Sequence, residues 1–326
     1  MVFDFDEVVG GGIDKMLFAN GSDIRNSSKF RELRLTWMIL WNNPVAALGI
    51  IIFSLFVFCV IVGPYLAPYP MNGINLPVKL LPPSLQHWFG TDVLGRDILS
   101  RVVYGARISF LAGAVVVGIS VCLGGFIGLL AGYLGKRVGD ILMRVTDIFL
   151  AFPTLILAMA LASMLGPSLL NALLAMSLVY WPRYARLVYG QTLSIRENEY
   201  VKFAEILREP SLRIIRRHIL PNVLGPLIVQ ASLDFGDAIL LVACLGFVGL
   251  GAQPPAPDWG IMVSDGRNYL MNAWWMATIP GLAIFLVVLA CNLIGDGIRD
   301  AMDPNLRRTK PYKTRMTQAQ ELTVNE

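Results

Sequence analysis

Two carboxylates, Asp234 and Asp237, stand three residues apart inside an otherwise uncharged stretch at 222–251. At that spacing they share one face of a helix. Acids in an apolar segment are costly and face a bundle interior or water. The pair could therefore line a conduit and meet an ammonium group or a cation, or it could bond to a neighbouring helix or lie near the mouth of the bundle. Other chemistry is poorly supplied. His87 and His218 both fall in polar connecting segments, so a serine nucleophile within the apolar segments would have no imidazole base. Cys59, Cys122, Cys244 and Cys291 all sit in apolar runs without CxxC or Cys/His spacing, which fits small hydrophobes rather than a disulfide or zinc framework, and no metal site is expected. The phosphate-cradling pattern GxxxxGK[ST] does not occur, so any use of ATP has to come from another subunit.

The elements that must position the two acids are set by composition. Of 326 residues, 55% are hydrophobic and 15% charged, with mean hydropathy +0.60, against roughly 45–50% and 25% in soluble domains. That balance excludes a disordered chain, a nucleic-acid binder with a basic face and an ordinary soluble enzyme. A bilayer crossing needs about 20 apolar residues. Runs at 45–66, 108–135, 148–182, 222–251 and 268–295 meet this length, and Gly166-Pro167-Ser168 splits the third into two antiparallel spans. The sequence thus predicts an all-α integral membrane protein with six transmembrane helices. Its parts are an N-terminal segment at 1–43 that could form an interfacial helix, a membrane domain at 44–298, and a tail at 299–326. The N-terminal segment lacks the pattern of a cleaved signal peptide.

Orientation follows from the basic residues. Counted on alternate sides of six spans, 22 of the 27 Lys and Arg fall with the two termini, which places both termini in the cytoplasm. Trp41, Trp274 and Trp275 sit at expected interfaces. The outer loops at 67–106 and 252–269 are proline-rich, and should be irregular. Small residues Gly124, Gly125, Gly128 and Gly132 permit close helix packing, and Arg144 with Asp147 has the spacing of a helix-end ion pair.

The segment at 183–221 is too patterned for a linker. Ser194 and Glu197 have capping-box spacing and predict a helix start there. Tyr200, Phe203, Ala204 and Leu207 then recur as one apolar stripe, and Pro210 ends the segment. Leu212, Ile215 and Ile219 mark a second short apolar face before Pro221 opens the fifth span. Such stripes pack on the protein's own helices or on a partner groove.

Here the chain resembles a family. Glu199-Tyr200-Val201-Lys202-Phe203-Ala204, followed by Arg213 to Asn222, is similar to the EAA loop of ABC importer permeases of the dipeptide, oligopeptide and nickel type. The stretch Gly90-Thr91-Asp92-Val93-Leu94-Gly95-Arg96-Asp97-Ile98-Leu99-Ser100-Arg101 resembles the GTDxxGRDxLSR motif of the C-type subunit. Gly249 to Pro255 with Trp259-Gly260, and Gly295 to Asp300 with Asp303-Pro304, look like its last outer loop and C-terminal end. Together these cover about 44–308.

The resemblance implies a type I importer permease fold in a bacterial or archaeal cytoplasmic membrane, surrounded by lipid. It implies a paired homologous permease, two cytoplasmic ATP-binding subunits that hold ATP and magnesium, and an external substrate-binding protein, with no cofactor on this chain and no nucleic acid partner. It makes the loop at Glu199, Tyr200, Val201, Phe203, Ala204, Leu207, Arg208, Leu212 and Ile215 the contact with the ATPases. Phe203, Arg208 and Pro210 depart from the family pattern; where Arg208 stands the family tends to have Gly, so a differently shaped turn is expected. Asp92, Arg96, Asp97 and Trp259 could receive the binding protein, or the charges could pair with one another. The implied cargo is short peptides, with nickel chelates, glutathione, opines or oligosaccharides as alternatives within the family. An ion-coupled secondary transporter using Asp234 and Asp237 is the alternative outside it.

Overall fold

A computed structural model of the protein describes residues 40, 41 and 43–302. The expectations for the N-terminal segment up to 39 and for the tail beyond 302 lie outside the described residues. Everything described is helical apart from connecting loops and one isolated bridge between Thr91 and Asp97. The helices are α1 (Pro44–Leu66), α2 (Ile98–Leu134), α3 (Lys136–Leu150), α4 (Thr154–Leu165), α5 (Leu169–Arg196), α6 (Glu199–Ile206), α7 (Ser211–Ile214), α8 (Leu220–Val248), α9 (Trp259–Gly266) and α10 (Trp275–Met302). By contacts the chain forms two units, one from 48 to 296 and one from the residues flanking it. In the flanking unit, a Cβ on Gly297 would lie 2.5 Å from Ala46 Cβ, so the start of α1 and the end of α10 pack tightly there.

Four helices are long and apolar enough to cross a membrane: α1, α2, the continuous run Ser211–Val248, and α10. The expected third span is broken, because Arg137–Leu150 and Thr154–Leu165 bend by 88° around Pro153. Twelve residues of α4 reach only about 18 Å. The bent pair counts as a fifth span when its halves are taken together. The expected fourth span begins α5, where Arg183 and Arg186 follow the apolar run within the same helix, and α5 is not among the helices apolar enough over a span's length to cross.

Boundaries shift where caps act. α2 starts ten residues before the expected span, since Asp97 accepts the Ser100 N–H and closes the helix start well outside the apolar run. The second outer loop is not wholly irregular: Asp258 accepts from Gly260 and Ile261 N–H and nucleates α9. α10 consequently begins at Trp275 and runs on through Gly295 to Met302. Pro221 does not divide α7 from α8. A π turn at Ile215–Ile219 shifts the hydrogen-bond register just before it, which relieves the clash a proline ring makes with the carbonyl one turn back.

Two larger apolar clusters fill most of the 48–296 unit, beside a smaller one around Met143 and Trp181. One gathers α2, α4, α5, α6 and α8 around Val116, Met176, Tyr180, Tyr184, Val188 and Leu245. The other joins α2, α8, α9 and α10 around Trp259 and Val287, with Phe53 and Phe56 of α1 against it. The α2 glycines make a close seam with α5. A Cβ on Gly128 would sit 2.8 Å from Val188 Cβ, and one on Gly132 would sit 2.6 Å from Thr192 Cβ. Gly125 faces α8 instead, near Leu227.

Candidate functional site

The connecting segment after α5 is built differently from its reading as one stripe. No helix starts at Ser194, which lies in the last turn of α5, where the preceding carbonyls already take the backbone donors; Glu197 is the cap residue ending that helix. α6 begins instead after Asn198. Lys202 Nζ lies 2.8 Å from Glu197 Oε2 and holds that carboxyl below the usual range. Arg196 Nε pairs at 3.5 Å with Glu205.

α6 carries two apolar faces. Val201 (0% exposed) and Ala204 (6%) face inward with Ile214 and Ile219 against Tyr184, Val188 and Ile195. Tyr200, Phe203, Ile206 and Leu207 form the outer face, and Phe203 is 64% exposed and Leu207 74%. Ala204 therefore does not share the stripe of Phe203 and Leu207. Leu212 is exposed beyond the turn, whereas Ile215 is half-buried. Tyr200 leans on His218, ring centroids 5.9 Å apart. Glu199 is exposed at the first turn.

The turn after α6 corrects the expectation of an altered shape. Arg208 adopts φ +55°, the left-handed conformation that favours glycine. Glu209 N–H donates to Ala204 O at 3.0 Å and Arg208 N–H to Glu205 O at 3.0 Å, the paired bonds of a Schellman ending. Arg208 takes the glycine position of that turn rather than rebuilding it, and Pro210 starts the next helix as its N-cap.

Between α5 and α8 lies a buried polar group. Asp234 is 2% exposed; its Oδ1 accepts from Gln230 Nε2 at 3.1 Å and lies 3.8 Å from Arg183 Nη1. Arg183 also covers the Tyr180 ring at 4.9 Å. The Tyr184 hydroxyl faces the same carboxylate without closing a hydrogen bond of normal geometry, and Asp234 Oδ2 has no partner among the described residues. Asp237 is half-buried one turn further on, and no ion pair joins it to the described residues. Arg183, Tyr180, Tyr184 and Gln230 join Asp234 here beyond the residues expected from sequence. The i, i+4 spacing of Gln230 and Asp234 was the available signal. Asp147 also takes a different partner: it pairs with Arg186 of α5 rather than with Arg144, because α3 packs along α5.

Around the starts of α2 and α10 the charges face one another. Asp92, Arg96, Asp97 and Arg101 are each at most 7% exposed. Arg96 Nε donates to Asp92 Oδ2 at 2.5 Å, and Arg101 Nε lies 3.9 Å from the same oxygen. Asp92 Oδ1 accepts from the N–H groups of Leu94 and Arg96 at 2.8 and 2.9 Å, around a turn in which Gly95 has φ +71°. Asp97 caps α2 through Oδ2, and its Oδ1 lies 3.0 Å from His87 Nδ1. Trp259 is fully buried and donates to Val102 O at 2.9 Å; Trp275 donates to Thr91 O at 3.1 Å. These residues tie the first outer segment to the starts of α2 and α10. The surface beside them is formed by Leu85, Trp88, Met271 and Trp274, all exposed.

Against known proteins, residues 124–308 match the family model of binding-protein-dependent transport system inner membrane components, and residues 32–83 match that of the N-terminal transmembrane domain of oligopeptide transport permease C. The chain is 48% identical over 291 residues to the probable D,D-dipeptide transport system permease protein DdpC of Escherichia coli (strain K12), covering 89% of this chain and 97% of that one. It is 47% identical over 268 residues to the dipeptide transport system permease protein DppC of Alkalihalophilus pseudofirmus, covering 82% and 88%. Among solved structures, a chain of the inward-facing MetNI methionine ABC transporter is similar in fold, with TM-score 0.50 and 21% identity over 62% of this chain and 96% of that one.

Proposed function

This chain belongs to the family of binding-protein-dependent transport system inner membrane components, and from that premise we propose that it forms half of the translocation pore of an ATP-binding-cassette importer for short peptides. The names of its relatives support the peptide cargo. In this reading the chain crosses the membrane six times with both termini in the cytoplasm. The third crossing is made by α4 with the apolar residues of the turns at its two ends, and the fourth by the apolar first half of α5, up to Pro182. A paired homologous permease supplies the other half of the pore, and an external binding protein delivers the cargo over the surface around Leu85, Trp88, Met271 and Trp274. ATP and magnesium are held by two partner ATPases, so this subunit is not itself an enzyme.

One observation carries the coupling. The outer face of α6, with Tyr200, Phe203, Ile206 and Leu207, is apolar and unburied, while its inner face is locked into the bundle through Val201 and Ala204. An ATPase that grips the outer face moves a helix whose inner face touches α5. Both sites then bias one two-state bundle, as coupling requires. Asp234 is held by Arg183 and Gln230, which leaves Asp237 as the acid that faces the conduit and the cargo's ammonium group.

The test is uptake of a labelled dipeptide into proteoliposomes holding the full transporter, with ATP inside or with an ion gradient alone. Uptake that needs ATP and binding protein is expected. Uptake driven by the gradient alone would make the chain a secondary transporter. Phe203→Asp, which puts a charge on the outer face, is expected to release the ATPases on purification and abolish uptake; retained ATPases and normal uptake would remove α6 from the coupling role.

A further inference from the structure

α3 has a face that neither the coupling contact nor the pore requires. Its fifteen residues divide into three sectors. One sector is clamped to the protein: Met143 and Thr146 are buried, Gly139 lies against Ala131, and Phe149 meets Trp181 edge to face at 5.5 Å. A second sector, Val138, Ile141, Val145 and Ile148, is apolar and solvent-exposed, from 43% to 65%. The third is charged, with Arg137, Asp140, Arg144 and Asp147. Asp147 is taken by Arg186, and no acid among the described residues pairs with Arg137 or Arg144.

The bend decides what covers the apolar sector. α3 turns 88° away from α4. A helix at right angles to a membrane-crossing one lies in the plane of the bilayer surface. Its apolar sector continues through the exposed Phe152 into the exposed Ile156 of α4. An exposed apolar sector bordered by arginines, on a helix in that plane, is the pattern of an interfacial helix that sinks its apolar side into acyl chains and holds its cations at the headgroups. We propose that α3 is such a helix, seated in the cytoplasmic leaflet, with Arg137 and Arg144 contacting the phosphates of anionic lipids. Clamped to α5 through Phe149 and Asp147, it fixes the foot of α5 to the membrane surface while α6 moves. The inference rests on the preceding reading that α4 crosses the bilayer and that its α3 end is cytoplasmic.

The experiment uses the complete transporter in nanodiscs, with the four native cysteines replaced and single nitroxide labels at Ile141→Cys, Val145→Cys, Ile148→Cys and Arg144→Cys. Dipeptide-stimulated ATP hydrolysis by the same preparations reports intact assembly independently. At 141, 145 and 148, collision with oxygen is expected to exceed collision with a neutral nickel chelate severalfold, and at 144 the order reverses. Adding phosphatidylglycerol to phosphatidylcholine discs should deepen the label at 141, and the Arg137→Gln, Arg144→Gln pair should abolish that deepening. Labels at 141, 145 and 148 shielded from both reagents would show a protein-covered face, and labels open to the nickel chelate would show a water-lined one. Either result overturns the proposal, as does a depth indifferent to phosphatidylglycerol.

Discussion

At the scale of single residues, Asp258 is the group whose ionisation the fold resists most plainly outside the spans. It is 2% exposed, and burial pushes its carboxyl up from 3.8 to about 6, against the pull of the Ile261 and Gly260 N–H groups. The folded chain therefore binds this proton more tightly than the unfolded one. The associated stability is complete below 3.8 and is lost as pH rises through about 6. A change of that size corresponds to an order of 2–3 kcal/mol. Asp258→Asn keeps an oxygen for both N–H donors and discards the charge. The variant is expected to melt above the parent at pH 8 and together with it near pH 4, measured by thermal unfolding in detergent. Arg208 offers a second case. Its φ of +55° costs about 1–2 kcal/mol in a residue with a side chain. Arg208→Gly should recover about 1 kcal/mol in the same assay, and unchanged or lower stability would show that the Arg208 side chain offsets the cost.

At the scale of elements, the seam between α2 and α5 rests on backbones brought together by small residues. Gly128→Leu drives a side chain against Val188 and Tyr189, and overpacking of that kind costs about 1–3 kcal/mol. A large fall in melting temperature and loss of assembled transporter are expected. Gly118→Ala is the control, because no atom lies within 4 Å of a Cβ there, and it should behave as the parent. The sequence made this seam legible, since Gly124, Gly128 and Gly132 repeat at a helical spacing. Other elements were less legible for a definite reason. Capping chemistry looks alike wherever it occurs: Asp97 and Asp258 do start helices, while the same kind of pattern at Ser194 falls inside α5, where no free N–H remains. The two faces of α6 were hidden because Tyr200, Val201, Phe203 and Ala204 are all apolar, and only packing against α5 sorts inner from outer. Asp234 was legible as an intramembrane acid, but its partner Arg183 reads in sequence as the first residue of a loop. The pairing of Asp92, Arg96, Asp97 and Arg101 depends on a turn around Gly95 that spacing alone does not specify.

At the scale of the whole molecule, the proposed six crossings assign every exposed loop to a side. In a cysteine-free background, Met271→Cys, at a site 96% exposed, should react with a membrane-impermeant maleimide added outside intact cells. Lys202→Cys should react only after the membrane is opened. Labelling of both from outside would reverse the assignment of one loop and with it the count of crossings. The outer face of α6 has a further consequence for the cell that makes this protein. Tyr200, Phe203, Ile206, Leu207 and Leu212 form an unburied apolar patch on the segment between α5 and α8. Under the coupling role proposed for α6, a copy made in excess of the ATPases carries this patch uncovered, where chaperones and proteases bind. Surplus copies of this chain are then expected to have the shorter lifetime, which a pulse-chase of the chain made with and without its partners would measure.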